Sequence, residues 1–417
     1  MSRKMRIFAR ENRMKTRLRQ FVLFVCLLVI PLGTLAEMNN GDSLRVSLIT
    51  CSPGQEIYEY YGHTALRIKD MKNGDDVVFN FGLFSFQTPH FVWRFVCGKT
   101  DYMVGAIPTS AFLPEYSARG SFVEEDVLNL TQDEAKALLS SLASKCEEDS
   151  WSYHYDFFYD NCATRVRDEI QNCLKGRELM WSTFEEQRTL REIVHEYSQN
   201  YAWSLFAQDL LLGAEADRPA TRLAQQFAPI IMERELRTAI LRDSSGMKPL
   251  LKEQDMLVEQ RSVPLEKGFP LSPMTCFIIL LCVTVVVTGW DFYHLRATWI
   301  FDAILLSLQG LIGLLITFMF FFSLHPTVDS NWLILLFNPL PLVFLYWTQK
   351  AERAGCKSIY HEVARFYLFL FILMSALHVI PQYIGNEVLI LAFCLLLRSM
   401  SYCNLTIRLK RKNKETA

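Results

Sequence analysis

Two regimes of hydrophobic patterning divide the chain. From Leu271 onward apolar segments recur at 271–290, 299–323, 332–347, 363–383 and 387–403, separated by short polar turns. Most approach the ~20 residues that a helix needs to cross a bilayer, so five spans are the economical reading. The third is short and contains Asn338-Pro339-Leu340-Pro341, which predicts a broken or re-entrant helix, tolerated only where protein covers the freed backbone. Before Leu271 the pattern is that of a folded domain. Residues 44–50 (LRVSLIT) and 63–69 (HTALRIK) have the alternation of half-buried strands, and 76–81 (DVVFNF) follows a turn centred on Asn73-Gly74. In the second strand Thr64, Leu66 and Ile68 share one face while His63, Ala65 and Arg67 share the other, so His63 points away from the most apolar face. Thr131-Gln132-Asp133-Glu134 is a capping-box-like start, and Ala135, Leu138, Leu139 and Leu142 continue it at helical spacing. After the aromatic run 153–159 (YHYDFFY), Asp160-Asn161 offers caps for a second helix whose apolar face is Ala163, Val166, Ile170 and Cys173.

The N-terminus differs from both regimes. Residues 1–20 are rich in Lys and Arg, 21–30 (FVLFVCLLVI) are unbroken apolar, and small residues follow in Gly33-Thr34-Leu35-Ala36. That order reads as a secretory signal cleaved after Ala36. The organisation expected is therefore a signal at 1–36, an α+β exported domain at 37–242, a polar linker or juxtamembrane helix at 243–270, membrane helices at 271–404 and a basic tail at 405–417. Orientation follows from cation placement: Arg296, then Lys350, Arg353 and Lys357, then Arg408, Lys410, Arg411, Lys412 and Lys414 alternate with the cation-free loops 324–331 and 384–386. Cationic loops stay cytoplasmic, which puts the C-terminus inside and residues 37–270 outside. The formal net charge of -1 argues neither for nor against a nucleic-acid partner, but export argues against one and for a membrane or envelope substrate.

The chemistry sits in the exported domain. Cys162 falls in the first turn of the second helix, where unpaired backbone N–H groups and the helix dipole favour a thiolate and could also hold an oxyanion. A thiol nucleophile needs a neighbouring base, and His63 follows Gly62 at the start of its strand; the other histidines before the linker are His90, His154 and His195. From spacing alone a lone His on a strand is more often structural. Cys51, Cys97, Cys146, Cys162 and Cys173 are odd in number, so one thiol stays free unless chains pair, and no Cys/His spacing fits a zinc site. No metal and no cofactor are expected.

Taken together, Cys51-Ser52-Pro53-Gly54, Gly62-His63-Thr64-Ala65-Leu66-Arg67, Asn80-Phe81-Gly82, Tyr155-Asp156-Phe157-Phe158 with Asp160-Asn161-Cys162-Ala163-Thr164-Arg165, and Asp209-Leu210-Leu211-Leu212-Gly213 resemble the Lnb family. Its members are lipoprotein N-acyltransferases of Bacteroidota, with a periplasmic domain ahead of membrane helices, and His325-Pro326 and Asn338-Pro339 extend the likeness into the membrane half. More distantly, the early His strand and later Asn-Cys helix start resemble the permuted NlpC/P60 (papain-like) superfamily. The resemblance implies that Cys162 is the nucleophile and His63 its base, and that an acyl chain passes from a phospholipid to the α-amine of a diacylglyceryl-cysteine lipoprotein at the inner membrane. A two-residue Asn73-Gly74 hairpin would set His63 opposite Phe84 and Arg67 opposite Asn80, leaving Asn80 roughly 13 Å from His63; Asn80 is thus a candidate third residue only if the register differs. Arg67, Asn161 and Arg165 are candidate substrate contacts, the arginines through bidentate bonds to a headgroup phosphate. Two other readings stay open: a peptidase or amidase acting on peptidoglycan, and a non-enzymatic envelope sensor or assembly protein.

Overall fold

The computed structural model describes residues 44–84, 89–147, 152–182, 187–264 and 268–415; the signal expected at 1–36 lies outside them. The two patterning regimes become a sheet-rich domain followed by a helical region, a mixed α+β chain. Strands β1 (Leu44–Cys51), β2 (His63–Asp70), β3 (Asp76–Leu83), β4 (Asp101–Pro108), β5 (Val123–Leu128), β6 (Tyr153–His154) and β10 (Leu251–Val258) form one antiparallel sheet in the order β10-β5-β1-β2-β3-β4-β6. Three short strands, β7 (Glu178–Met180), β8 (Ile240–Asp243) and β9 (Gly246–Pro249), make a second sheet.

Alternation along the strands gives the large sheet two apolar faces, and each is covered. Leu48, Leu66, Ile68, Phe79 and Phe81 pack against the helices Gln132–Glu147 and Cys162–Cys173. In chain order the helices are α1 (Phe91–Val96), α2 (Thr109–Arg119), α3 (Gln132–Glu147) and α4 (Cys162–Cys173). Ile49, Cys51, Ala65 and Val78 on the opposite face pack against Phe112 and Tyr116 of α2. The face assignments for β2 and the apolar stripe Ala163, Val166, Ile170 and Cys173 of α4 are as the pattern predicts, all four stripe residues being buried.

Two expectations from the pattern need correction. The β2–β3 connection is wider than a two-residue hairpin: the Asp70 carboxylate accepts from the Lys72 and Asn73 N–H groups, Gly74 N–H bonds Asp70 C=O, and Asp70 N–H bonds Asp75 C=O. Type I′ geometry needs positive φ at both central residues; here the Asx-type bonding holds Asn73 in the ordinary region while Gly74 takes φ 83°. The register shifts by two, so Arg67 faces Val78 rather than Asn80. The segment expected to be a linker at 243–270 supplies instead the β8–β9 hairpin and β10, which pairs with β5. Its polar sequence is that of a sheet edge, where exposed Lys252, Glu253 and Asp255 discourage further strand pairing.

Helices α5 (Leu190–Ser198), α6 (Ala202–Leu211), α7 (Arg222–Gln225) and α8 (Pro229–Arg237) complete the domain. Five helical segments are long and apolar enough to cross a membrane: Pro273–His294, Trp299–Phe322, Trp332–Ala354, Ile359–Ala376 and Asn386–Lys412. The third is broken as the Asn338-Pro339 sequence predicts, a short Trp332–Leu335 turn preceding the helix Leu340–Ala354. Protein covers the break. The Asn338 backbone seats on Gly313, where a Cβ would approach within 2.4 Å, and Gln309 Nε2 donates to Leu336 C=O at 2.9 Å.

The halves are joined by backbone-level contacts. Gly213 N–H bonds Thr327 Oγ1, Glu215 N–H bonds Ser330 Oγ, and Asn331 Nδ2 donates to Leu210 and Leu211 C=O. A second joint lies at α1, where Ser323 Oγ donates to Val96 C=O, Leu324 N–H to Cys97 C=O and His325 Nε2 to Phe95 C=O.

Candidate active site

The site is built where β2 and β3 part. Their pairing runs from Lys69↔Asp76 to Leu66↔Phe79, and α4 directs its first turn at the strand ends beyond it. Asn161 caps this helix: its side-chain oxygen accepts from the Ala163 and Thr164 N–H groups at 2.9 and 3.0 Å. Its amide donates in turn to Phe157 and Phe227 C=O, so a buried residue with every polar arm used fixes the start of α4. Cys162 is the next residue. Its sulfur is met by the Thr64 backbone N–H, one position from His63, and Gly82 of β3 closes the other side. A Cβ on Gly82 would lie 4.0 Å from Cys162 Cβ, and the backbone there has φ 95°.

His63 Nε2 lies 2.5 Å from Asn80 Oδ1. The register shift produces this contact: with Arg67 opposite Val78, Asn80 stands diagonal to His63 on the same sheet face, within reach of two side chains. An amide oxygen can only accept, so Nε2 carries the proton and Nδ1 keeps its lone pair. Burial pushes the imidazole down to about 4, and the Asn80 bond only partly opposes it. Burial likewise pushes the Cys162 thiol up to about 11, against the backbone N–H groups of Thr64, Ala163 and Cys162. The helix start was expected to favour a thiolate. Desolvation outweighs it here, because Asn161 already takes the Ala163 N–H and the surroundings are dense with Tyr102, Tyr153 and Tyr155. Both groups are neutral at rest, a thiol and an imidazole, although both side chains remain partly open to solvent.

The other candidate residues stand elsewhere. Arg67 lies down the strand with its guanidinium held by the Asp76 carboxylate and by Glu125, so it is committed to the sheet. Arg165 is clamped to Asp160 and stacks over Tyr153 at 4.5 Å. Asn161 is a cap with no side-chain bond to spare for substrate. In the structure these three candidate substrate contacts are engaged by protein partners, the arginines by neighbouring carboxylates. His154 meets Asp101, and His195 meets Asp209.

Residues that spacing did not single out also border the site. Cys51, paired with His63 across β1–β2, is fully buried beneath it. Arg119 closes α2, stacks on Tyr116 at 4.1 Å and bonds Glu59 at 2.6 Å, and its charge bears on both His63 and Cys51. Nothing in the sequence links Arg119 to His63, since the sheet alone joins them. Among the described residues no group of His, Cys, Asp or Glu could hold a metal ion, and the cysteines are free thiols.

A family model described as the Lnb N-terminal periplasmic domain matches residues 34–196, and one described as the Lnb transmembrane domain matches residues 265–412. No curated protein and no solved structure matches the chain.

Proposed function

The chain belongs to the Lnb family, whose domains are those of lipoprotein N-acylation, with a periplasmic domain on a multi-pass inner-membrane region, and from that premise we propose that it is a thiol-dependent N-acyltransferase. Cys162 is the nucleophile, His63 the base and Asn80 the residue that orients the base. One observation carries the assignment: the Asn80–His63 bond fixes the imidazole tautomer one residue from the Thr64 N–H that meets the Cys162 sulfur.

In the first half-reaction His63 Nδ1 takes the thiol proton as the sulfur attacks a phospholipid ester carbonyl. The C–S bond forms and the ester C–O bond breaks, with the proton passing from His63 to the leaving alkoxide to give a lysophospholipid. The tetrahedral oxyanion between these events meets the Thr64 and Cys162 N–H groups beside the sulfur, the Ala163 N–H being held by Asn161. In the second, the α-amine of a diacylglyceryl-cysteine lipoprotein attacks the thioester. The C–N bond forms, the C–S bond breaks, and the amine proton returns through His63 to the thiolate. No electrons are exchanged with any third party, so the scheme needs no redox partner. A neutral resting pair suits this chemistry, since proton and acyl transfer are coupled and no thiolate stands exposed to water between turnovers.

The test is mass spectrometry of lipoprotein N-termini from cells depleted of the protein and rescued with wild type or Cys162→Ala. Restoration of the N-linked chain by wild type alone is expected. Equal rescue by Cys162→Ala removes the nucleophile from the scheme, and no effect of either brings peptidoglycan amide hydrolysis forward.

A further inference from the structure

The short helix α1 presents Val92 and Trp93 outward, 74% and 59% exposed, although it belongs to the catalytic domain. Large exposed apolar side chains in a row mark an interaction surface. Their neighbour is the second membrane helix, Trp299–Phe322. Trp93 packs on Phe318 with ring centroids 4.9 Å apart, and an open, mostly apolar groove of about 890 Å³ runs between His90, Phe91, Trp93, Leu314 and Phe318. At 1.5 Å per residue, about 12 Å of helix separates Leu314 from the helix end at Phe322. The groove floor therefore lies within the hydrocarbon of the leaflet next to the catalytic domain.

Packed rings link the wall of the groove to the surroundings of the thiol. Phe91 on its wall stacks with Phe84 at 5.8 Å, Phe84 meets Tyr102 at 5.0 Å, and Tyr102 stacks on Tyr155 at 4.4 Å. Phe84, Tyr102, Tyr155 and Cys162 all belong to one packed cluster. Phe84 follows directly after β3, whose Gly82 faces Cys162. A line of packed aromatic side chains thus runs from the surroundings of Cys162 to the wall of the groove.

We propose that this groove holds the transferred acyl chain. The inference rests on the acyl-transfer reading and adds where the lipid lies. The chain that moves is bonded to the carbonyl the sulfur attacks, and through that carbonyl it stays bonded to the sulfur until the amine arrives. It needs an apolar berth contiguous with Cys162 throughout both half-reactions, whereas the acceptor's own chains are attached some distance from the reacting amine. Any other occupant of the groove would have to leave before the first half-reaction.

The experiment uses the full-length protein in nanodiscs containing a phosphatidylethanolamine with a diazirine midway along its acyl chains. After free lipid is exchanged away, irradiation of the wild-type thioester is expected to cross-link the Cys162 peptide to peptides carrying Trp93, Leu314 or Phe318. A thioester whose cross-links land elsewhere overturns the groove while leaving the transfer reading intact. If no thioester forms, the transfer reading has failed, and noncovalent labelling of Cys162→Ala decides the groove by itself. Enrichment at Trp93, Leu314 and Phe318 over Val286 and Phe366, exposed on other membrane helices, supports it there, and equal labelling overturns it. Leu314→Trp provides a second measure, with the N-linked chains it transfers expected to shift towards shorter lengths.

Discussion

The Asn80 amide oxygen sets the chemistry of His63 by leaving it one tautomer. Removing that oxygen leaves a buried imidazole N–H without a partner, a loss of about 1–3 kcal/mol, or about 5- to 150-fold. Asn80→Ala should lower the rate of thioester formation by that factor with little change in lipid binding, as measured by single-turnover kinetics. The pH dependence carries a sign. His63 acts only when neutral and burial depresses it to about 4, so activity persists above that value and is lost as pH falls through it. Asn80→Asp puts a carboxylate on the imidazole N–H, raises the imidazole pKa and should move the acid limb to higher pH. Since burial lifts the Cys162 thiol to about 11, iodoacetamide labelling of the Cys162 peptide should keep rising well past pH 9. A plateau near neutrality would instead indicate a preformed thiolate–imidazolium pair.

At the level of elements, the start of α4 determines where the sulfur sits. Asn161 satisfies two helix N–H groups and two buried carbonyls, so Asn161→Ala loses both a cap and the partners of those carbonyls. The expected cost is about 2–4 kcal/mol, read by thermal unfolding, along with a fall in Cys162 labelling selectivity as the first turn frays. The capping residue, the apolar stripe of α4 and the alternation of β2 are all local properties, and each is legible in the sequence. Register is different in kind. The Asn73-Gly74 dipeptide suggests a tight hairpin, but the Asp70 carboxylate widens the loop. That one tertiary-scale choice moves Asn80 from out of reach to hydrogen-bonding distance. The edge strand β10 is obscured for a related reason: an edge strand has one paired side and exposed polar side chains, so its composition matches that of a linker.

For the whole molecule, the two halves behave as one unit because backbone docks on backbone. Gly213 sits against the 327–330 loop, where a Cβ would come within 2.1 Å of Thr327 C=O, and the Asp209-to-Gly213 stretch owes its character to this joint. Asp209 holds Arg191 and His195, which brace the turn from behind. Gly213→Val should leave the catalytic domain folded while raising hydrogen exchange at 209–217 and 327–331. Acyl transfer should fall with it, because α1 would no longer be held against the second membrane helix. Within the bundle, Arg398 bonds Asp302 of one helix and Asp291 and Thr288 of another. Intramembrane charge of this kind survives only when fully paired. Arg398→Ala strands two carboxylates and should destabilise the bundle by about 3–5 kcal/mol, measured by resistance to denaturing detergent.

The sequence by itself determined what depends on period and composition: five apolar spans with a break at Asn338-Pro339, two central strands, though not that both of their faces are covered, a capped helix bearing Cys162, and a His on the less apolar strand face. These are set by which atoms must leave water, and that is written locally. Only the tertiary structure decided what depends on which partner wins a competition. Asp76 and Glu125 claim Arg67, Asp160 claims Arg165, and the Asp70 loop sets the register that gives His63 its Asn80. Burial, which no single residue encodes, leaves the thiol neutral despite its place at a helix start. The aromatic contacts between the Cys162 cluster and the membrane groove likewise join residues 84, 91, 102 and 155, with Trp93 on Phe318, separated along the chain and adjacent only once sheet and bundle have docked.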